Sequence, residues 1–185
     1  RVPHLAPLIG GGAAVTATGV TGTLLLSIHL REVRAFTPLG TAGLFTAFGV
    51  TAFAGRRIAR AISDGRGEQA VLGAGLLLQG AALALIALAA RPAAPIMLLA
   101  VLLALFGLAH VVANTGVAVV TATAPDSSHG TTAALVATAQ YFGGALGPLV
   151  IGSIVADGGG PPLGIGLAGG TSAAVGAFVT LARRG

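Results

Sequence analysis

His110 and Asn114 stand four residues apart, with Thr121 a further seven on, in a stretch of sequence, 93–124, that carries no charge. On a helix this spacing puts all three side chains on one face. A polar side chain at bilayer depth costs free energy unless it meets a partner or water, so its presence points to a cavity, and contacts to a solute are assigned to this face. Bonding between helices is the alternative use of such groups. His110 is also the mid-segment side chain whose ordinary titration range lies near neutrality, which admits a role in carrying a proton.

Further polar positions punctuate the apolar runs. Thr16, Thr23 and Ser27 follow one another at spacings of seven and four, again one face, although such hydroxyls satisfy themselves readily on their own helix backbone. Packing at a helix interface is the preferred use for these three. Gln79 and Gln140 are larger and harder to hide, and Gln140 lies one turn before Gly144, facing either a cavity edge or a second part of the protein. Gly143 and Gly147, and likewise Gly166 and Gly170, form small-x-x-x-small pairs that let two helix backbones approach closely. A phosphate-cradling loop needs a lysine after its glycines, and the chain has no lysine.

Other chemistries find no residues to carry them. The acids Glu32, Asp64, Glu68, Asp126 and Asp157 all fall in or beside breaks between apolar runs, so an acid buried at bilayer depth would have to come from elsewhere. There is no cysteine, hence no disulfide, thiolate metal site or cysteine nucleophile. His4, His29, His110 and His129 are too far apart in sequence to place two ligands on one helix face, so no metal and no cofactor is expected. Without paired acids or a serine–histidine pairing at depth, an enzyme is not expected either.

The elements that must position these residues are transmembrane helices. Of 185 residues, 55% are hydrophobic and 8% charged, against about 25% charged in soluble domains. The mean hydropathy is +0.94. Such a chain cannot cover a surface facing water, and lipid is its expected partner. Its pI of about 11.6 comes from ten arginines at the ends of apolar runs; with 4% aromatics and no tryptophan, nucleic acid is excluded as a partner.

Six apolar segments are predicted, at 8–30, 39–58, 70–90, 94–121, 131–155 and 163–181. The breaks carry Arg31, Glu32 and Arg34 before Pro38, then 64–68, 91–95, 125–130 and 157–162, rich in charge, proline and glycine. Arginines on alternate sides number seven (Arg1, Arg56, Arg57, Arg60, Arg66, Arg183, Arg184) against three (Arg31, Arg34, Arg91). The positive-inside rule then places both termini in the cytoplasm, as an even number of spans requires. Arginine-only basic usage with alanine–glycine richness suggests a GC-rich bacterial genome and its cytoplasmic membrane. The opening at Arg1, without a signal peptide, suggests part of a longer protein.

Two blocks resemble the major facilitator superfamily, in particular its fourteen-span drug:proton antiporters. Residues 29–80 follow the order found at the start of that family's C-terminal half: Ile28, His29 and Leu30 closing one helix, then Pro38, Leu39 and Gly43 opening the next. A basic loop motif follows, with Gly55, Arg56, Ile58, Arg60, Asp64, Arg66 and Gly67; Glu68 and Gln69 depart from it where basic residues are commoner. Residues 125–155 are similar to the loop and fifth helix of the same half, with Gly130, Gln140, Gly143, Gly144, Gly147 and Gly152 in order.

The resemblance implies an all-α membrane protein: one bundle over 1–185 built as two inverted three-helix repeats, about 1–91 and 92–185, forming the C-terminal half of an exporter. Segments one and four then line the pathway, making His110, Asn114, Thr121, Gln140, Thr16, Thr23 and Ser27 the candidate cavity residues. An N-terminal transmembrane half is the implied partner and a drug-like or amphipathic small molecule the substrate, exported by proton-coupled alternating access. The alternative, from another class, is a standalone six-helix protein acting by self-association or as a scaffold.

Overall fold

The structure, a computed structural model, describes residues 5–125 and 127–182. Arg1, His4, Asp126, Arg183 and Arg184, and the side chain of Asp157, lie outside the described residues. Six long helices follow in chain order: α1 (Leu5–Ile28), α2 (Pro38–Arg66), α3 (Glu68–Ala89), α4 (Ile96–Ala122), α5 (His129–Ile154) and α6 (Gly160–Ala182). All six are long and apolar enough to cross a membrane; the shortest, α3 with 22 residues, reaches roughly 33 Å at 1.5 Å per residue.

The helix ends have local causes. Thr37 caps α2, its hydroxyl accepting from the Gly40 N–H at 3.1 Å, with Pro38 in the first turn where its missing donor costs nothing. α2 does not stop at the edge of the apolar run but carries its charges on through Arg66. The expected loop at 64–68 is therefore helical up to Gly67, whose φ of +78° makes the turn into α3 alone. At the far end of α1 the chain leaves through a π turn, His29–Val33, in which the Arg34 N–H reaches back to the His29 carbonyl. A second such turn, Val155–Gly159, joins α5 to α6.

Packing divides the helices into two kinds. α3 lies against α4 and α6, α1 against α5 and α6, and α2 against α4, while α1 and α4 also touch. α2 and α5 do not pack on each other. In the most apolar stretch of each helix, 56% of residues are buried for α1 and α3, but 17% for α2 and 6% for α5. The core therefore lies along α1, α3 and α4, with α2 and α5 as outer rails on either side of a groove floored by α4.

Missing side chains make these contacts close, as expected where lipid gives helices no hydrophobic reason to associate. On α5, a Cβ at Gly147 would stand 2.6 Å from the Ala17 carbonyl oxygen of α1, and one at Gly143 would meet the Ala13 carbonyl. Gly55 of α2 is equally tight against the Leu108 carbonyl of α4, at 2.9 Å. On α6 the close approaches to α3 belong to Gly169 and Gly176, while Gly164 is tight against the Leu25 side chain of α1. Of the pair expected there, Gly166 makes only an ordinary contact with Ala87 of α3, and Gly170 is exposed with nothing within 4 Å, one residue round the helix from Gly169, which faces α3. Two threonine hydroxyls cross the same interfaces: Thr16 donates to the Gln140 carbonyl of α5 at 2.6 Å, and Thr51 of α2 to the Ala104 carbonyl of α4 at 2.7 Å.

Candidate functional site

A chain of polar side chains crosses the bundle at mid-depth, with each member near the midpoint of its helix. It runs Thr18 (α1), Gln79 (α3), His110 and Asn114 (α4), Gln140 (α5). Gln79 is wholly buried and Thr18 is 1% exposed, while His110, Asn114 and Gln140 are half-buried.

Backbone carbonyls, which can only accept, fix the direction of every bond. Gln79 Nε2 is 3.2 Å from the Val15 carbonyl and 2.7 Å from the Thr18 hydroxyl, which in turn donates to the Ala14 carbonyl at 2.7 Å. Gln79 Oε1 must then be the atom 3.1 Å from His110 Nδ1, so that nitrogen carries the proton. Asn114 Nδ2 lies 3.2 Å from the carbonyl of His110, which orients its amide, and donates at 2.9 Å to the bare His110 Nε2. Asn114 Oδ1 accepts from Gln140 Nε2 at a long 3.4 Å. All donors thus point the same way, from α5 inward to α1, around a neutral imidazole.

The ring is held on its faces as well. Phe48 of α2 and Phe106 of α4 stand 5.8 and 6.1 Å from the His110 ring centre and 5.3 Å from each other. On α1 the space for the ring exists because residue 19 is glycine; a Cβ there would stand 2.8 Å from Nδ1.

The outer end of the chain borders two open clefts. One cleft of about 620 Å³ between α2 and α4 is lined by Arg56, Arg60, Ser63, Asp64, Asn114 and Thr115 among others. A second, of about 390 Å³ between α4 and α5, is lined by Asn114, Thr121, His129 and Gln140 with apolar neighbours. Asn114 borders both. The clefts lie toward the end of the bundle where α2 finishes and α5 begins. This arrangement can hold a solute by hydrogen bonds at Asn114 and Gln140 while its apolar part lies against valines and alanines of α4 and α5.

The structure brings His110, Asn114, Thr121 and Gln140 to one place, Thr121 on the cleft wall with its hydroxyl returned to the Val117 carbonyl. It does not bring Thr16, Thr23 and Ser27 there. Thr16 is spent on α5, Thr23 bonds back to Gly19 and Val20, and Ser27 is half-buried away from either cleft. Of the loop motif, Arg56, Arg60 and Asp64 line the first cleft, whereas Gly55 is a packing residue and Gly67 the turn. Sequence reasoning missed Thr18 and Gly19, and left Gln79 without a partner. The available signal was depth, since Thr18, Gln79, His110 and Gln140 each sit near the centre of a predicted segment. No group of three or more His, Cys, Asp or Glu able to hold a metal occurs among the described residues. No protein-family model and no curated protein matches the sequence.

Proposed function

We propose that this chain is the C-terminal half of a major facilitator superfamily exporter, in which α4 forms one wall of a cavity for amphipathic small molecules. The observation that carries the reading is the polar face at the midpoint of α4, opening into two clefts between the least buried helices, α2 and α5. A second half seated across that groove would cover the open rails and enclose Asn114, Thr121 and Gln140.

The order of packing supports two three-helix repeats. Exchanging α1, α2 and α3 for α4, α5 and α6 carries α1 on α5 into α4 on α2, and α3 on α4 into α6 on α1, each of which is a principal contact. The small-residue interfaces at Gly143 and Gly147 on one side and Gly55 on the other agree with it. Three spans per repeat are an odd number, so the two copies run in opposite senses through the bilayer. The arginines around Arg56 to Arg66 favour a cytoplasmic location for that end of the bundle, in the cytoplasmic membrane. The clefts then open inward. The reading gives the chain no covalent chemistry, and any proton coupling by an acid falls to the partner half.

The test is efflux of ethidium from energised cells carrying the chain in its native reading frame, with Asn114→Leu beside it. Efflux that collapses in the variant at equal membrane expression is expected; absence of efflux overturns the exporter reading. Open faces on α2 and α5 would equally suit a self-associating six-helix protein, and efflux by a dimer of this chain alone would assign it to that arrangement instead.

A further inference from the structure

The hydrogen-bonded chain has a free end and a fixed end, and the difference has a chemical consequence. At the fixed end, Gln79 and Thr18 donate to the Val15 and Ala14 carbonyls, neither of which can reverse its role. Gln79 Oε1 is therefore held toward His110, and Nδ1 keeps its proton in any protonation state. A proton taken from groove water can bind only at Nε2, where it forms an N–H bond that faces the amide N–H of Asn114. Two donors cannot share that line. Asn114 must turn its amide over to offer Oδ1, giving up its bond to the His110 carbonyl, and Gln140 must turn in response to offer its own oxygen to Asn114 Nδ2.

We propose that the protonation of His110 sets the hydrogen-bonding sense of the groove. With Nε2 bare, Asn114 presents a carbonyl oxygen there, bonded only by the long contact from Gln140, and the site takes ligands that donate, organic ammonium ions above all. With Nε2 protonated, Asn114 presents N–H, the site carries a positive charge, and it takes neutral ligands that accept. The inference rests on the reading of this groove as a solute site and adds the class of solute and what selects it.

The surroundings leave His110 as the group that decides. From α1 the ring meets Gly19, from α3 Gln79, from α2 Phe48 and from its own helix Phe106, none of which titrates. The charged or titratable groups on the cleft walls are Arg56, Arg60 and Asp64 of α2, and His129 of α5. They lie toward the end of the bundle rather than at mid-depth.

The test uses the full protein in lipid nanodiscs and two probes of similar size, phenethylammonium, which donates, and N,N-dimethylbenzamide, which only accepts. Affinities are measured by calorimetry between about pH 3.5 and 8, which spans the range in which histidine ordinarily titrates and extends well below it. Phenethylammonium is expected to weaken about tenfold per pH unit below the titration of His110, releasing one proton on binding. Dimethylbenzamide is expected to strengthen about tenfold per pH unit as pH falls toward that titration, taking up one proton on binding above it, and to level off below it. In His110→Gln both dependences flatten. The same trend for both probes, a dependence that survives in His110→Gln, or no saturable binding of either probe overturns the proposal.

Nitrogen-15 NMR of the wild-type histidines adds a check that needs no variant: the neutral form must carry its proton on Nδ1, and an Nε2–H tautomer overturns the proposal whether or not His110→Gln folds. Opposite pH trends without transport in proteoliposomes would leave the switch standing and sink the exporter reading. Ethidium transport with no pH trend in either probe would do the reverse.

Discussion

Gln79 and His29 are both polar and buried, yet substitution should move them in opposite directions. Gln79 bonds three partners, so Gln79→Leu strands the His110 Nδ1–H and removes a donor from Thr18 and Val15. Leaving a buried donor unsatisfied costs about 1–3 kcal/mol, and a clearly lowered melting temperature in detergent is expected. His29 is 1% exposed and neither ring nitrogen has a partner among the described residues. Replacing an unsatisfied polar group by an apolar one of similar size is neutral or stabilising, so His29→Leu should melt at or above the wild-type temperature. A lower melting point would show that the imidazole bonds something the described residues do not supply. Gly19→Ala is the third case. Its methyl would displace the His110 ring from Gln79, so solute binding at Asn114 should fall at least tenfold, with helix content by circular dichroism unchanged.

Among elements, glycine position separates packing from mere flexibility. Gly147→Leu places a side chain on the Ala17 carbonyl and Thr21 hydroxyl, at 2.6 and 2.9 Å from the first carbon alone. Overpacking of this kind costs about 1–3 kcal/mol or more, so folding yield and thermal stability should both drop. Gly170→Leu, with nothing within 4 Å, should leave both unchanged. Equal behaviour of the two variants would sink the α1–α5 interface described above. The same contrast shows what was legible beforehand. All six helices were evident because apolar runs of bilayer length announce themselves, and the depth of His110 and Gln140 came with them. Hydropathy marks where the apolar face ends rather than where a helix ends, so α2 ran on through Arg60 and Asp64 to Arg66. Azimuth was not legible. Whether Thr16 or Thr18 joins the polar chain depends on which side of α1 meets α5 and which meets α3, and a glycine–alanine–threonine helix has no apolar stripe to declare it.

For the whole molecule, the direction in which the clefts open depends on how the bundle sits in the bilayer, and α3 offers a direct measurement. Its 22 residues cover roughly 33 Å, enough for a hydrocarbon core of about 30 Å, so Gly65 and Ala93, exposed just beyond its two ends, belong on opposite surfaces. Neither position is crowded by the rule that matters here, since a Cβ at Gly65 meets nothing within 4 Å and Ala93 already carries one. These 185 residues contain no cysteine, so a single introduced thiol is the only target for a maleimide within them. Arg56, Arg57, Arg60 and Arg66 lie toward the Gly65 end, against Arg31, Arg34 and Arg91 at the other. The positive-inside rule therefore predicts that a membrane-impermeant maleimide labels Ala93→Cys in intact cells and Gly65→Cys only after permeabilisation. Labelling of both from outside would mean that α3 does not span. The reverse pattern would keep the bundle but invert it, and because Asn114, Arg60 and Asp64 share a cleft toward the Gly65 end, it would turn the proposed solute site to face the exterior.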